Sequence, residues 1–225
     1  MDKWNACKLE FSENDLVGRI CYGGLDLSST TDITAFALVF PPADNDDKYC
    51  ILPYFWIPEE NVDLRVRRDH VPYDVWQRQG FLETTEGNVV YYGYIENFIE
   101  RLGEKFNIRE IAFDRWGAVQ MSQHLEELGF TVVPFGQGFS SMSPPTKELM
   151  KLVLEKKIAH NGHPVLRWNF DNVTIRQDPA NNIKMDKAKS TEKIDGAIAT
   201  VMALDRAIRC GNVESVYDTR GLLFI

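Results

Sequence analysis

The sequence predicts an α/β fold: a mixed five-stranded sheet, three antiparallel strands then two parallel ones, with helices on both faces. Two observations carry this. Three strand-like runs, Ile20–Leu27, Ile33–Phe40 and Tyr49–Trp56, follow one another with short turns between them, the pattern of an antiparallel meander. Farther on, residues 108–134 read strand–helix–strand, a parallel crossover unit. With 225 residues and 44 % hydrophobic content, the chain can build a core without disulfide or metal staples.

The elements follow in order. Residues 1–18 are polar and irregular and read as a linker, with Trp4 as a candidate anchor. The meander turns are Ser28–Asp32 and Pro41–Lys48, whose acidic stretch Asp44–Asp47 reads as a solvated hairpin loop. Pro58 opens a polar helical segment through Arg68, and Pro72–Gln79 is a short helix ended by Gly80. Asn88–Lys105 is a longer helix with Val89, Tyr92, Ile95, Phe98, Ile99 and Leu102 on one face. Ile108–Phe113 is a strand ending at Asp114, Val119–Leu128 a helix stopped by Gly129, and Phe130–Pro134 the next strand. Gly136–Pro145 reads as a flexible connection. Helices follow over Thr146–Lys157 and from Pro164 to about Val173. The segment Ile183–Ser190 is polar and basic, and the last helix runs from about Glu192 to Ile208. The tail after Gly211 has no clear pattern, although Leu222–Ile225 is apolar.

A formal net charge of −8 argues against a stand-alone nucleic-acid binder, which is usually basic. It does not exclude a nuclease, because carboxylates gathered for divalent metal add negative charge. The four cysteines form no CxxC pair and read as reduced thiols, and the four histidines form no HExxH pattern. No apolar run approaches the roughly 20 residues that span a bilayer. No signal peptide is evident, so an intracellular chain is expected.

Three carboxylates occupy comparable positions. Asp26 ends the first strand before a hydroxyl-rich turn, Ser28-Ser29-Thr30-Thr31. Asp114 ends the fourth strand, and Asp195 opens the last helix. Ligand sites of open sheets gather at the carboxyl ends of strands, so adjacent parallel first and fourth strands bring Asp26 and Asp114 to one edge. Ile198, Ala199 and Met202 share a helix face with Asp195, and that face must pack on the sheet. Inward carboxylates repel unless cations neutralise them, and hard oxygen donors select Mg²⁺ or Mn²⁺. Two such ions roughly 3.5–4 Å apart clamp the attacking and leaving oxygens of a phosphodiester. Each residue also has a plain reading: a turn cap for Asp26, a strand-end cap or Arg115 partner for Asp114, a helix-start charge for Asp195. The Asp26 turn also fits a phosphate loop of the actin and sugar-kinase type, although no second turn of that form appears.

Tyr22-Gly23-Gly24-Leu25-Asp26-Leu27-Ser28-Ser29-Thr30-Thr31-Asp32, with Ala112-Phe113-Asp114-Arg115-Trp116-Gly117 and Lys193-Ile194-Asp195-Gly196, closely resembles the nuclease domain of tailed-phage large terminase subunits. The likeness covers essentially the whole chain. It implies a ribonuclease H-like fold over residues 19–225, and a remnant of the link to a preceding ATPase domain over residues 1–18. It also implies an Asp triad (Asp26, Asp114, Asp195) and two Mg²⁺ or Mn²⁺ ions. The implied activity is endonucleolytic cutting of concatemeric viral double-stranded DNA, with low sequence preference, in the host cytoplasm. A small terminase subunit and a portal ring are the implied partners, no membrane is involved, and the isolated domain is expected to be monomeric. Without a GxxxxGK[ST] loop, no ATPase activity is expected of this chain. One departure is Tyr91, where the family often has an acidic residue; it bears on a fourth carboxylate ligand and not on the triad.

Asp32 is an accessory candidate that could ligand a metal, hold a lysine or cap the hairpin, and Ser28 reads as a turn cap. Lys184, Lys187, Lys189 and Lys193 outnumber the acids of their segment, Asp186 and Glu192, and directly precede Asp195. They and Arg115 are candidate phosphate contacts, which would position DNA without reading its sequence. A non-catalytic docking module of a packaging motor is the competing reading.

Overall fold

The structure, a computed structural model, describes residues 1–28, 32–43, 46–114 and 119–211, and the backbone alone of Asn61. Its centre is the expected five strands: β1 (Ile20–Asp26), β2 (Thr34–Phe40), β3 (Tyr49–Pro58), β5 (Asn107–Asp114) and β6 (Val132–Phe135). Strands β3, β2 and β1 pair antiparallel, while β1, β5 and β6 pair parallel, giving the order β3-β2-β1-β5-β6. Two further strands, β4 (Glu83–Thr85) and β7 (Ile158–His160), lie parallel to β3. Their three residues carry no alternation of their own. They form because the long β3 leaves backbone groups to pair at both ends, Tyr49–Ile51 with β7 and Trp56–Pro58 with β4.

Successive side chains of a strand point to opposite faces, and β2 feeds two cores by this rule. Ala35, Ala37 and Val39 join one apolar cluster, while Phe36, Leu38 and Phe40 join the other. The first cluster is roofed by α6 (Phe139–Leu154), α7 (Pro164–Asp171) and α8 (Asp195–Cys210). The second is covered by α4 (Tyr92–Lys105), through Ile95, Ile99 and Leu102, and by α5 (Val119–Glu127), through Met121 and Leu125. Both faces are therefore dry, as the parallel half requires.

Helix α8 lies directly on β1 and β2. Gly24 makes this possible: a Cβ there would collide with the Ala199 carbonyl oxygen and sit 2.7 Å from the Ala203 nitrogen. The α8 start is anchored by the fully buried Asn169, whose Oδ1 accepts from the Gly196 N–H at 2.8 Å.

The structure departs from the sequence reading in several places, while Trp4 acts as the anchor that reading offered. Gly136–Pro145 is not a loose connection, because α6 already starts at Phe139 and runs through Pro144 and Pro145. Proline removes a helical hydrogen bond, but Met142, Ser143 and Pro145 are buried and α6 packs on α8, which offsets that loss. A small separate hairpin, β8 (Ile175–Gln177) with β9 (Ile183–Met185), stands where a polar segment was expected. Helix α4 begins at Tyr92 rather than Asn88. Residues 1–18 lie on the domain: Trp4 is 5 % exposed, stacks on His160 at 4.2 Å and touches Phe170, and Cys7 and Leu16 are buried. Among the described residues no helix is long and apolar enough to cross a membrane. The tail after Gly211 and the Asp44–Asn45 part of the acidic loop lie outside the described residues.

Candidate metal centre

Strand alternation sets the direction of the first two carboxylates. On β1, Tyr22 faces the α8 side and Leu25 the α4 side, so Asp26 shares the α8 side with Tyr22 and Gly24. On β5, Ala112 faces α8 and Ile111 faces α4, which sends Asp114 to the α8 side too. Leu25 pairs with Phe113, leaving Asp26 and Asp114 as the next residues on neighbouring strands. Asp26 is buried at 3 % exposure, while Asp114 is half-buried.

Asp195 comes to the same edge from above. It is the first residue of α8 and only 2 % exposed. Its carboxylate gains from the positive end of the helix, and its Oδ2 accepts from the Ile33 N–H at 3.4 Å. The close seat of α8 at Gly24 is what brings this helix start down onto the strand end.

One ammonium joins the two buried carboxylates. Lys187 Nζ donates to Asp26 Oδ2 at 2.6 Å and to Asp195 Oδ1 at 2.8 Å. Burial pushes the Asp26 carboxyl above its ordinary range, with Lys187 pulling it back and Asp195 and Asp114 adding to the rise. For Lys187, burial works against the charge, but Asp26 and Asp195 outweigh it and raise its pKa. Lys187 was expected at the mouth of the site, facing DNA phosphate. It turns inward instead, because two desolvated carboxylates attract an ammonium far more strongly than water-exposed ones do.

The remaining candidates separate by their partners. Asp32 Oδ1 accepts from Lys193 Nζ at 2.8 Å, and its carbonyl accepts from the buried Arg65 at 3.2 Å, so of its three readings it holds a lysine here. Lys193 is thereby also paired, with a carboxylate at the rim of the cleft. Ser28 Oγ accepts from the Asp32 N–H at 3.0 Å, and Thr34 ties to both backbone groups of Ser28, which makes this serine a turn clamp. Lys184, on β9, has its ammonium 5.4 Å from the centre of the Phe139 ring at the start of α6, while Lys189 is exposed. Arg115 and Trp116 lie outside the described residues. Tyr91 is 63 % exposed ahead of α4.

Sequence reasoning missed Gln137, whose Nε2 donates to Asp26 Oδ1 at 3.4 Å. It follows β6, whose Phe135 pairs with Asp114, so the chain leaves the sheet at the carboxylate edge. Its signal was a lone amide between two glycines just past a strand end. A cleft of about 410 Å³ opens over Asp32, Lys187, Lys193 and Asp195.

The donors are carboxylate oxygens, the chemistry of Mg²⁺ or Mn²⁺, and an ammonium already bridges two of them as a stand-in cation. Among the described residues no three His, Cys, Asp or Glu side chains converge closely enough to hold a metal as they now stand. The donor chemistry fits a divalent ion, and the Lys187 ammonium lies between the two buried carboxylates.

Known proteins resemble this chain in sequence and in fold. The family model for the terminase large subunit, endonuclease domain, matches residues 1–210. The large terminase subunit of Enterobacteria phage HK97 is 38 % identical over 188 residues, 83 % of this chain and 37 % of that protein, so the chain spans well under half of that relative. The crystal structure of the HK97 bacteriophage large terminase superposes with a TM-score of 0.82 at 34 % identity, over 92 % of this chain and 42 % of that one. The large terminase nuclease from thermophilic phage G20c, solved with bound magnesium, shares the fold at a TM-score of 0.54 and 13 % identity, over 87 % of this chain and 96 % of that one. The architecture is thus the ribonuclease H-like one. By the match along residues 1–210 and the identity to the HK97 protein, this chain belongs to the family of terminase large-subunit endonuclease domains.

Proposed function

We propose that the chain is a divalent-metal-dependent endonuclease that hydrolyses phosphodiesters of double-stranded viral DNA during genome packaging. The observation that carries this reading is the pair of buried carboxylates, Asp26 and Asp195, sharing one cation at the strand edge where Asp114 also ends. Family membership supports it, as does the bound magnesium of the G20c nuclease.

Asp26, Asp114 and Asp195 would be the residues that hold Mg²⁺ or Mn²⁺, in a proposed two-ion site. Such ions would supply Lewis-acid chemistry, activating a water and stabilising the leaving 3′ oxygen. The chain does the positioning. Asp26 stands on a strand paired on both sides, so its carboxylate has little freedom. Gln137 orients its Oδ1, and the Ile33 N–H orients Asp195. Lys193 and Arg65 pin Asp32 beside the cleft. Phosphate contacts fall to Lys184 and the exposed Lys189, and such contacts give low sequence preference. The small terminase subunit and the portal ring are the proposed partners.

The test is nicking of supercoiled plasmid in Mn²⁺. The wild-type chain should cut, and Asp26→Ala should abolish cutting while circular dichroism stays unchanged. Unaltered cleavage in that variant overturns the assignment. Tight ATP binding without nicking would instead favour a phosphotransferase.

A further inference from the structure

Lys187 is unlike the other basic residues around the cleft. It extends from an exposed turn, and its side chain is 38 % exposed, yet its ammonium ends between carboxylates that are 4 % and 3 % exposed. The turn that presents it is ordered. The Asp186 side chain accepts from the Ala188 N–H at 3.1 Å, the Asp186 carbonyl accepts from the Ser190 N–H and hydroxyl, and the Ser190 oxygen accepts from the Thr174 N–H. The lysine root is therefore fixed and only its flexible stem reaches in.

Two like charges buried together are costly, and an opposite charge within hydrogen-bond distance of both removes most of that cost. A divalent ion at the same oxygens would do the same with twice the charge. Both cations cannot occupy one place, since the ammonium already fills the gap between Asp26 Oδ2 and Asp195 Oδ1. Departure of the ammonium needs no backbone opening, because rotation of the half-exposed stem returns it to water.

We propose that Lys187 is an exchangeable internal counter-ion: it neutralises Asp26 and Asp195 in the metal-free chain, and divalent metal enters by displacing its ammonium into the cleft. This rests on the metal-dependent reading above and adds how that site is loaded. Lysine, with its compact ammonium on a flexible four-carbon stem, suits such a reversible role better than the rigid fork of arginine.

Mn²⁺ binding to the chain by isothermal titration calorimetry, at fixed pH and salt, tests the exchange. Lys187→Met should bind Mn²⁺ about tenfold or more tightly than wild type, because the ion no longer has to break the ammonium's two charge-assisted hydrogen bonds. Its metal-free melting temperature should fall and its rise on adding Mn²⁺ should exceed that of wild type. A second measurement needs no variant: the rate at which an amine-acylating reagent labels Lys187 of the wild-type chain, mapped by mass spectrometry, with and without Mn²⁺. Labelling should quicken with the metal. Equal or weaker Mn²⁺ binding by Lys187→Met, or labelling that ignores Mn²⁺, overturns the exchange while leaving the metal site standing. Failure of wild type and variant alike to bind millimolar Mn²⁺ would sink the metal reading itself, and the exchange with it.

Discussion

At the scale of residues, the centre is governed by the cost of buried charge. Asp26 and Asp195 sit almost wholly out of water, and burial holds the Asp26 carboxyl above its ordinary range even with the Lys187 ammonium against it. His163 meets burial differently. It packs between Phe55 and Phe81, and its Nδ1 accepts from the Leu166 N–H at the start of α7. Burial drives its pKa down to about 4, against roughly 6.5 in the unfolded chain. The unfolded state thus takes up the proton first. Stability contributed by neutral His163 is complete above about pH 6.5 and is lost as pH falls toward 4, reaching about 2 kcal/mol at pH 5. Urea midpoints at pH 7 and pH 5 should show this loss in wild type, and His163→Gln should flatten the difference.

At the scale of elements, α8 and β1 form one functional unit. The helix carries Asp195, the strand carries Asp26, and Gly24 lets their backbones meet without a side chain between them. Gly24→Ala would force α8 away from the sheet, so a loss of about 3 kcal/mol or more is expected in denaturant unfolding. The same shift carries Asp195 away from Asp26, and Mn²⁺ affinity should fall in parallel. Unchanged stability would mean that the helix does not seat where the structure has it. Beyond β6, the chain passes Gln137 and enters α6 at once, so the carboxylate edge is bordered by a buried helix rather than a loose loop.

At the scale of the molecule, a single sheet separates two cores, and the N-terminal segment closes one of them. Trp4 lies between His160 and Phe170, and His160 Nε2 meets the Trp4 carbonyl at 2.8 Å. The segment also adds Lys8 beside His160, the end of β7. Trp4→Ala should therefore cost about 3 kcal/mol, the usual loss for a buried tryptophan, measured as a lowered denaturation midpoint. Full retention of stability would indicate that residues 1–18 contribute no packing. The 25 lysines and arginines are outnumbered by 33 acids, and Lys187 and Lys193, the lysines nearest the carboxylates, are already paired with Asp26, Asp195 and Asp32.

The main strands and helices were legible because their signals are local. Short apolar runs parted by turns mark β1 to β3, a strand–helix–strand order marks β5 to β6, and a one-sided apolar pattern marks α4. Asp26, Asp114 and Asp195 stood out for the same reason, each at the end or start of an element. The pairing of Lys187 with two of them was not legible, since 161 positions separate it from Asp26 along the chain. Nor were β4 and β7, which exist only because β3 offers them partners, nor the helical path through Pro144 and Pro145, which packing on α8 stabilises against local preference. Local sequence decides which segments become strands or helices and which charges sit at their ends. Which charges are desolvated together, and which cation answers them, depends on contacts that come into being only when distant segments pack.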